Sequence, residues 1–194
     1  MPQLTRSDLL SLEEYAKARP KIRAKVMAHK KNRTVHLGPH MTLIFEDSLT
    51  ISYQVQEMLR AERIFEEEGI QDELDAYNPL IPDGTNWKVT QMLEYPDLEE
   101  RRIMLQRLKG IEDRTWVRVA GFDKVYAIAD EDLERENEEK TSSVHFLRFE
   151  LTPEMIAAVK SGAAIGVGVD HPEYTAAVEP LPEPVRASLA HDLA

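Results

Sequence analysis

The sequence contains no cysteine among its 194 residues. This absence excludes disulfide bonds, thiolate zinc sites, iron–sulfur ligation and a cysteine nucleophile. The sequence also lacks any apolar run near the roughly 18 residues of a membrane span. Its start, Met1 to Ser11, has no basic stretch followed by an apolar one. We therefore expect a soluble, cytoplasmic protein with no membrane partner.

Motifs for nucleotide cofactors are missing as well. Gly166-Val167-Gly168 is followed by Val169 and Asp170 rather than by a third glycine, so it does not form a dinucleotide fingerprint. P-loop, Gly-x-Ser-x-Gly and His-Glu-x-x-His patterns do not occur. The cofactor is therefore undetermined, and a divalent metal ion is the candidate that the remaining residues leave open.

The charge is unevenly distributed along the chain. The net charge is −11, yet residues 17–33 carry eight basic side chains and no acid, which leaves −19 for the remainder. Acids concentrate in residues 57–75 and 130–139. A basic helix of this kind can bind nucleic acid, an anionic membrane or an acidic protein surface. Because the acidic remainder would repel a polyanion, we expect internal pairing, self-association or a protein partner rather than nucleic acid.

The order of sequence patterns predicts a single α+β domain over residues 1–194, with a largely antiparallel sheet, a long central helix and several shorter helices. A basic helical segment covers residues 1–33 and is expected to break at Pro20. The acidic residues 130–142 are expected to form a mobile loop. Predicted strands cover 34–37, 41–45, 87–95, 116–120, 124–129, 143–151, 164–169 and 175–178, and predicted helices include 49–68, 97–109 and 153–160.

The central helix predicts an acidic residue inside an apolar stripe. Ile51, Val55, Met58 and Phe65 recur at helical spacing, and the same spacing places Glu62 among them. A buried carboxylate needs a partner because desolvation costs several kcal/mol. One interpretation is an ion pair with the basic helix, and the other is a metal ligand or proton-transfer group.

Histidines could complete a metal site with such carboxylates. His145 shares one face of its strand with Leu147 and Phe149, and His40 lies in a turn near Glu46. Zinc or iron would suit a histidine and carboxylate set, although no spacing here is diagnostic. The candidate metal ligands are Glu57, Glu62, His40 and His145.

Three segments resemble an uncharacterised bacterial family, domain of unknown function 3501. They are Phe45-Glu46, Gln54 to Glu62, and Tyr77-Asn78-Pro79 to Pro82. The resemblance extends over nearly the whole chain and implies a link to redox or peroxide metabolism. It draws attention to a candidate polar pocket formed by Glu46, Gln54, Glu57, Arg60, Glu62, Tyr77 and Asn78.

Three hypotheses for function follow. The first is an accessory or binding protein whose long helix presents the polar pocket to a ligand or partner. The second is a metal-dependent enzyme with a Glu/His site. The third is nucleic-acid binding through residues 17–33.

Overall fold

The structure is a computed structural model that describes all of residues 1–194. It contains six α-helices and nine strands. The helices are α1 (Leu12–Lys30), α2 (Ser48–Glu62), α3 (Glu67–Tyr77), α4 (Leu98–Arg107), α5 (Pro153–Lys160) and α6 (Glu183–Ala190). The strands are β1 (Thr34–Leu37), β2 (Met41–Glu46), β3 (Asn86–Leu93), β4 (Thr115–Val119), β5 (Val125–Tyr126), β6 (Ile128–Ala129), β7 (Val144–Glu150), β8 (Ile165–His171) and β9 (Tyr174–Val178).

The strands form two antiparallel sheets. The larger has the order β1-β2-β3-β7-β6 and the smaller has the order β5-β4-β8-β9. Every strand pairing is antiparallel, which confirms the predicted α+β class. No helix combines the length and the apolar character that crossing a bilayer requires.

The two sheets share one apolar core. Alternate residues of β3 and β7, such as Val89 and Leu147, join Val117 of β4 and Val167 of β8 in a single buried cluster, to which α4, α5 and α6 also contribute. Alternation buries one face of β3 and of β7 because successive side chains point to opposite sides. A smaller cluster joins α2 and α3 through residues such as Val55 and Leu74.

The predicted break at Pro20 is wrong, because α1 continues through it from Leu12 to Lys30. Proline removes one helical hydrogen bond and normally kinks a helix. Here both halves of α1 are held in place: Tyr15 and Arg19 bind Glu57 of α2, and Val26 is buried. Contacts with α2 thus stabilise α1 as a continuous helix although it contains Pro20.

The predicted extent of the central helix, and with it the burial of Glu62, is also wrong. Helix α2 ends at Glu62, where Arg63 adopts a left-handed conformation with φ 55°. That turn directs the chain away before Phe65, which is 71% exposed. Glu62 is itself exposed. The apolar stripe therefore stops at Leu59, one turn before the acid that was expected to lie inside it.

The predicted strand 124–129 is divided between the sheets. β5 pairs with β4, as the predicted hairpin requires, but β6 pairs with β7 of the larger sheet. Residues 128–129 therefore connect the two sheets at one edge, directly before the acidic segment. This crossing brings Asp130 next to β7.

Candidate functional site

A buried histidine lies at one end of the shared core. His145 occupies the inner face of β7 with Leu147 and Phe149, as the alternation predicted, and it is fully buried. Its neighbour across the sheet is Gln91 of β3. A polar pair in this position must find hydrogen-bond partners because water cannot reach it.

Asp130 holds one nitrogen of the imidazole. Its Oδ2 lies 2.5 Å from His145 Nδ1, while its Oδ1 accepts from the backbone N–H of Phe146 at 2.9 Å and from Arg135 at 3.2 Å. The backbone of Asp130 is left-handed, with φ 50°. Aspartate tolerates that conformation better than most residues. The carboxylate is thus fixed by three donors, and it in turn fixes the ring.

The other nitrogen of the ring faces three oxygen atoms. Nε2 of His145 lies 2.8 Å from Thr141 Oγ1, 3.0 Å from the Ser142 carbonyl oxygen and 3.7 Å from Glu112 Oε2. Glu112 comes from the 3₁₀ turn Ile111–Arg114 that precedes β4. Its burial raises the pKa of the Glu112 carboxyl above its usual range. We call Glu112, Asp130, Thr141 and His145 the His145 cluster.

Gln91 adds an unsatisfied polar group beside this cluster. Its Oε1 accepts from Thr115 Oγ1 at 2.6 Å, but its Nε2 has no partner although the residue is fully buried. Reversing the amide would exchange its oxygen and nitrogen and leave the oxygen unsatisfied instead. Either way one buried amide atom has no hydrogen-bond partner within the protein.

An acidic cavity opens onto the His145 cluster. It has a volume of about 280 Å³, and both Glu112 and Asp130 line it. Its remaining lining residues are Asp113, Ala129, Glu134, Arg135 and Glu136. Glu136 accepts from the backbone N–H of Gly110 at 2.6 Å, which ties the acidic segment to the turn that carries Glu112. The cavity therefore offers a small cation a route to buried ligands.

The donor atoms fit metal binding better than covalent catalysis. Glu112, Asp130 and His145 each present a ligand atom, and these atoms lie within 4.8 Å of one another. Asp130, His145 and Thr141 also stand in the order of a hydrolase triad. However, Thr141 is only 1% exposed, so its hydroxyl cannot meet a substrate without rearrangement. Histidine with carboxylates is a common ligand set for divalent transition metals.

The predicted polar pocket is not assembled as one site. Glu57 binds Arg19 at 2.7 Å and the hydroxyls of Tyr15 and Tyr53, each at 3.0 Å. These donors, led by Arg19, lower the pKa of Glu57 to about 2. We call these four residues the Glu57 cluster. The ion pair with the basic helix that was expected for Glu62 thus forms at Glu57.

The other predicted pocket residues lie in separate places. Glu46 accepts from Thr50 and Thr90. The side-chain amide of Asn78 accepts from the Leu4 backbone N–H and donates to the Leu4 carbonyl oxygen. Gln54 is half-buried, Arg60 and Glu62 are exposed, and Tyr77 lines a different, larger cavity.

Of the four predicted metal ligands, only His145 belongs to the group of convergent ligand atoms. His40 instead hydrogen-bonds the Glu94 carbonyl oxygen and stacks on Tyr95 at 4.0 Å. Sequence reasoning missed Glu112 and Asp130. Asp130 belongs to the acidic run for which the sequence predicts a mobile loop, and Glu112 lies in a turn two residues after Gly110. No spacing relative to His145 marks either residue.

Comparison with known proteins gives a family but no activity. The sequence profile of the family described as protein of unknown function (DUF3501) matches residues 3–193, which confirms the resemblance. A crystal structure of a novel protein of unknown function from Burkholderia pseudomallei is 55% identical. It superposes with a TM-score of 0.92, and the match covers 100% of both chains. No curated protein matches the chain.

Proposed function

We propose that the chain, which belongs to the DUF3501 family, binds one divalent transition-metal ion at His145 and Glu112 and acts as a metal-dependent protein. The observation that carries this proposal is the 3.7 Å separation between His145 Nε2 and Glu112 Oε2. Metal–nitrogen and metal–oxygen bonds are about 2.0–2.2 Å long, so two donors at this separation can share one ion at an angle of roughly 120°.

The environment of the two ligands supports a bound cation. Asp130 accepts from Nδ1 of His145, which is the usual partner of a metal-binding imidazole. Nε2 is then the nitrogen that would coordinate the ion, in place of its hydrogen-bond contacts with Thr141 and Ser142. The Ser142 carbonyl oxygen and the Thr141 hydroxyl are further oxygen donors within 3.0 Å of Nε2. Burial raises the pKa of Glu112 and so disfavours its ionised form, and a bound cation would offset that cost.

The ligand chemistry favours Zn²⁺, Mn²⁺ or Fe²⁺. One imidazole nitrogen with carboxylate and carbonyl oxygens is harder than a thiolate site and softer than an all-oxygen site. A redox-active ion at this place would agree with the predicted link to redox metabolism.

Metal titration of the chelator-treated protein tests the proposal. Calorimetry with Zn²⁺, Mn²⁺ and anaerobic Fe²⁺ should detect one bound equivalent of at least one of these ions. Glu112→Gln removes a ligand charge while keeping the side-chain shape, and it should weaken binding at least about tenfold. Asp130→Asn should weaken it by about 10- to 100-fold, because the ring loses its orienting acceptor.

Asp113→Asn is the matched control. Asp113 lines the same acidic cavity but does not belong to the convergent group, so its loss should leave the affinity nearly unchanged. Failure of the wild-type protein to bind any of the three ions would refute the proposal. Equal losses of metal affinity in Glu112→Gln and Asp113→Asn would also refute the proposal, because they would indicate that the acidic cavity as a whole binds the ion.

A second candidate function is docking of α1 on an acidic protein surface. Helix α1 buries only Tyr15 and Val26. Its cations Lys21, Arg23 and Lys25 are exposed and form no ion pair, whereas Lys17 and Arg19 are paired with Glu13 and Glu57. A second copy of this acidic chain is one such surface.

Sedimentation at low and high salt tests this second function. We expect dimers that dissociate as the salt concentration rises. A monomer at every salt concentration that binds DNA would instead favour the nucleic-acid alternative.

A further inference from the structure

A cavity larger than the acidic one lies on the other side of the larger sheet. It has a volume of about 510 Å³, within the range of about 300–1,000 Å³ that ligand pockets commonly occupy. The end of α3 and the 3₁₀ turn Asn78–Leu80 form one wall, and the outward residues of β3 and β7 form the other. Its charged lining residues are three cations and three acids: Lys88, Arg135, Arg148, Asp75, Glu131 and Asp132.

Lys88 is a half-buried cation without a counter-ion in this cavity. Its Nζ donates to the Pro79 carbonyl oxygen at 3.0 Å, and it takes part in no ion pair. Its cross-strand neighbour on β2 is Glu46, but the Glu46 carboxylate accepts hydrogen bonds from Thr50 and Thr90 instead. Burial and the nearby Arg148 guanidinium lower the pKa of Lys88. An anion entering the cavity would compensate this charge.

The other cations of the cavity already have partners. Arg148 binds Glu131 at 2.8 Å and Glu150 at 2.6 Å. Arg135 binds Asp132 at 2.6 Å and lies over the Phe146 ring, 4.7 Å from its centroid. Lys88 is therefore the one cation of the cavity whose ammonium group contacts no carboxylate, which leaves it available to a ligand with a single negative charge.

The remaining walls are apolar or aromatic. Phe146 comes from the outer face of β7, while Tyr77, Pro79 and Leu80 come from the opposite wall. We propose that this cavity binds a small monocarboxylate with an apolar or aromatic tail, its carboxylate on Lys88 and its tail between Phe146 and Tyr77. This inference goes beyond the metal site and does not rest on it, since neither Lys88 nor Tyr77 belongs to the His145 cluster.

Paired ligands that differ only in charge test the inference. Phenylacetate, indole-3-acetate and octanoate are titrated against the full chain by ¹H–¹⁵N NMR, each alongside its neutral amide. At least one acid should shift the amide signals of Phe146 and Leu147, and its own amide should bind about tenfold more weakly, as expected for loss of a charged hydrogen bond.

Variants then locate the binding site. Lys88→Gln should bring the acid and its amide to the same affinity, with Lys88→Met as a second neutral variant should the first fold poorly. Ala76→Phe, at an exposed position of the wall, should block both ligands. Lys160→Gln on α5, away from the cavity, should change nothing.

Three results would overturn the inference. They are equal affinity of acid and amide for the wild type, shifts confined to residues outside the cavity, and no response to any of the three acids. Binding of an acid that survives Lys88→Gln without loss would overturn the role given to the ammonium. Metal titration of the same samples reports on the His145 cluster separately, so the two proposals can fail independently.

Discussion

The Glu57 cluster and the His145 cluster each place a carboxylate between packed elements, but they satisfy it to different degrees. Glu57 accepts from a guanidinium and two phenol hydroxyls, so every nearby donor points at the charge. Glu112 lies 3.7 Å from an imidazole nitrogen and 3.4 Å from the Thr141 hydroxyl, with more acids around it. The first arrangement is complete, whereas the second has more acceptors than donors.

The pKa directions follow from this contrast. Hydrogen bonds led by Arg19 lower the pKa of Glu57 to about 2, and burial raises that of Glu112. A carboxyl with a lowered pKa stabilises the fold when ionised, and one with a raised pKa destabilises it. Complete ion pairs hold helices together, while an uncompensated buried charge marks a place where a ligand can add free energy of binding.

Removal of His145 should have the largest effect. His145→Leu removes the imidazole ring that lies between Asp130 and Glu112. The carboxylates of these two residues then face each other without it. We expect the free energy of unfolding of the metal-free protein at neutral pH to fall by about 3 kcal/mol or more. Urea denaturation measures it. His36→Leu, at an exposed position, is the control, and an equally small loss in both variants would contradict the assigned role.

Glu57→Gln should have a smaller, pH-dependent effect. The amide keeps the shape but loses the charge that Arg19 and the two tyrosines bind, so we expect a loss of about 1–2 kcal/mol at neutral pH. Because the folded pKa is about 2 and the usual value is 4.5, this stabilisation is complete above 4.5 and disappears as the pH falls through 2. The difference between wild type and variant should shrink accordingly in urea titrations at successive pH values.

Glu62→Gln is the control for this experiment. Glu62 lies on the same helix but is exposed, so its substitution should change the free energy of unfolding by no more than about 0.5 kcal/mol at any pH. A larger loss for Glu62 than for Glu57 would instead support the burial that the sequence pattern predicted.

The comparison also separates what the sequence can predict from what it cannot. Alternating side chains placed His145 with Leu147 on the inner face of β7, because the period of a strand is a local property. The helix predicted over 97–109 is equally local, and it forms as α4, Leu98–Arg107. Glu62 was misplaced because the periodicity does not indicate where α2 ends.

Side-chain partners that are distant in sequence cannot be predicted from local sequence patterns. Arg33 belongs to the basic segment, yet it is buried and binds Asp192, 159 positions later, at 2.5 Å. Nothing near either residue indicates the other. Asp130 and Glu112 meet His145 for the same kind of reason, since β6 crosses to the larger sheet and a turn before β4 faces it. A site formed by residues that are far apart in sequence can be identified only from the three-dimensional structure.

Glu112→Gln should give the smallest change, and its sign sets the two clusters apart. Because the folded pKa of Glu112 lies above the usual 4.5, ionisation costs stability as the pH rises through the folded value. In chelator, the neutral amide should therefore stabilise the protein by about 1 kcal/mol at neutral pH, opposite to Glu57→Gln. Asp113→Asn, at the exposed next residue, should neither stabilise nor destabilise the protein.

Adding the bound metal should then reverse the order of the two proteins. An ion that binds only the folded state raises the free energy of unfolding of the wild type by an amount that grows with its concentration, and the variant lacks part of the ligand set that captures it. Thermal melts of both proteins with and without metal measure the reversal. If Glu112→Gln destabilises the protein equally under both conditions, Glu112 is a structural partner of His145, and its cluster is as complete as that of Glu57.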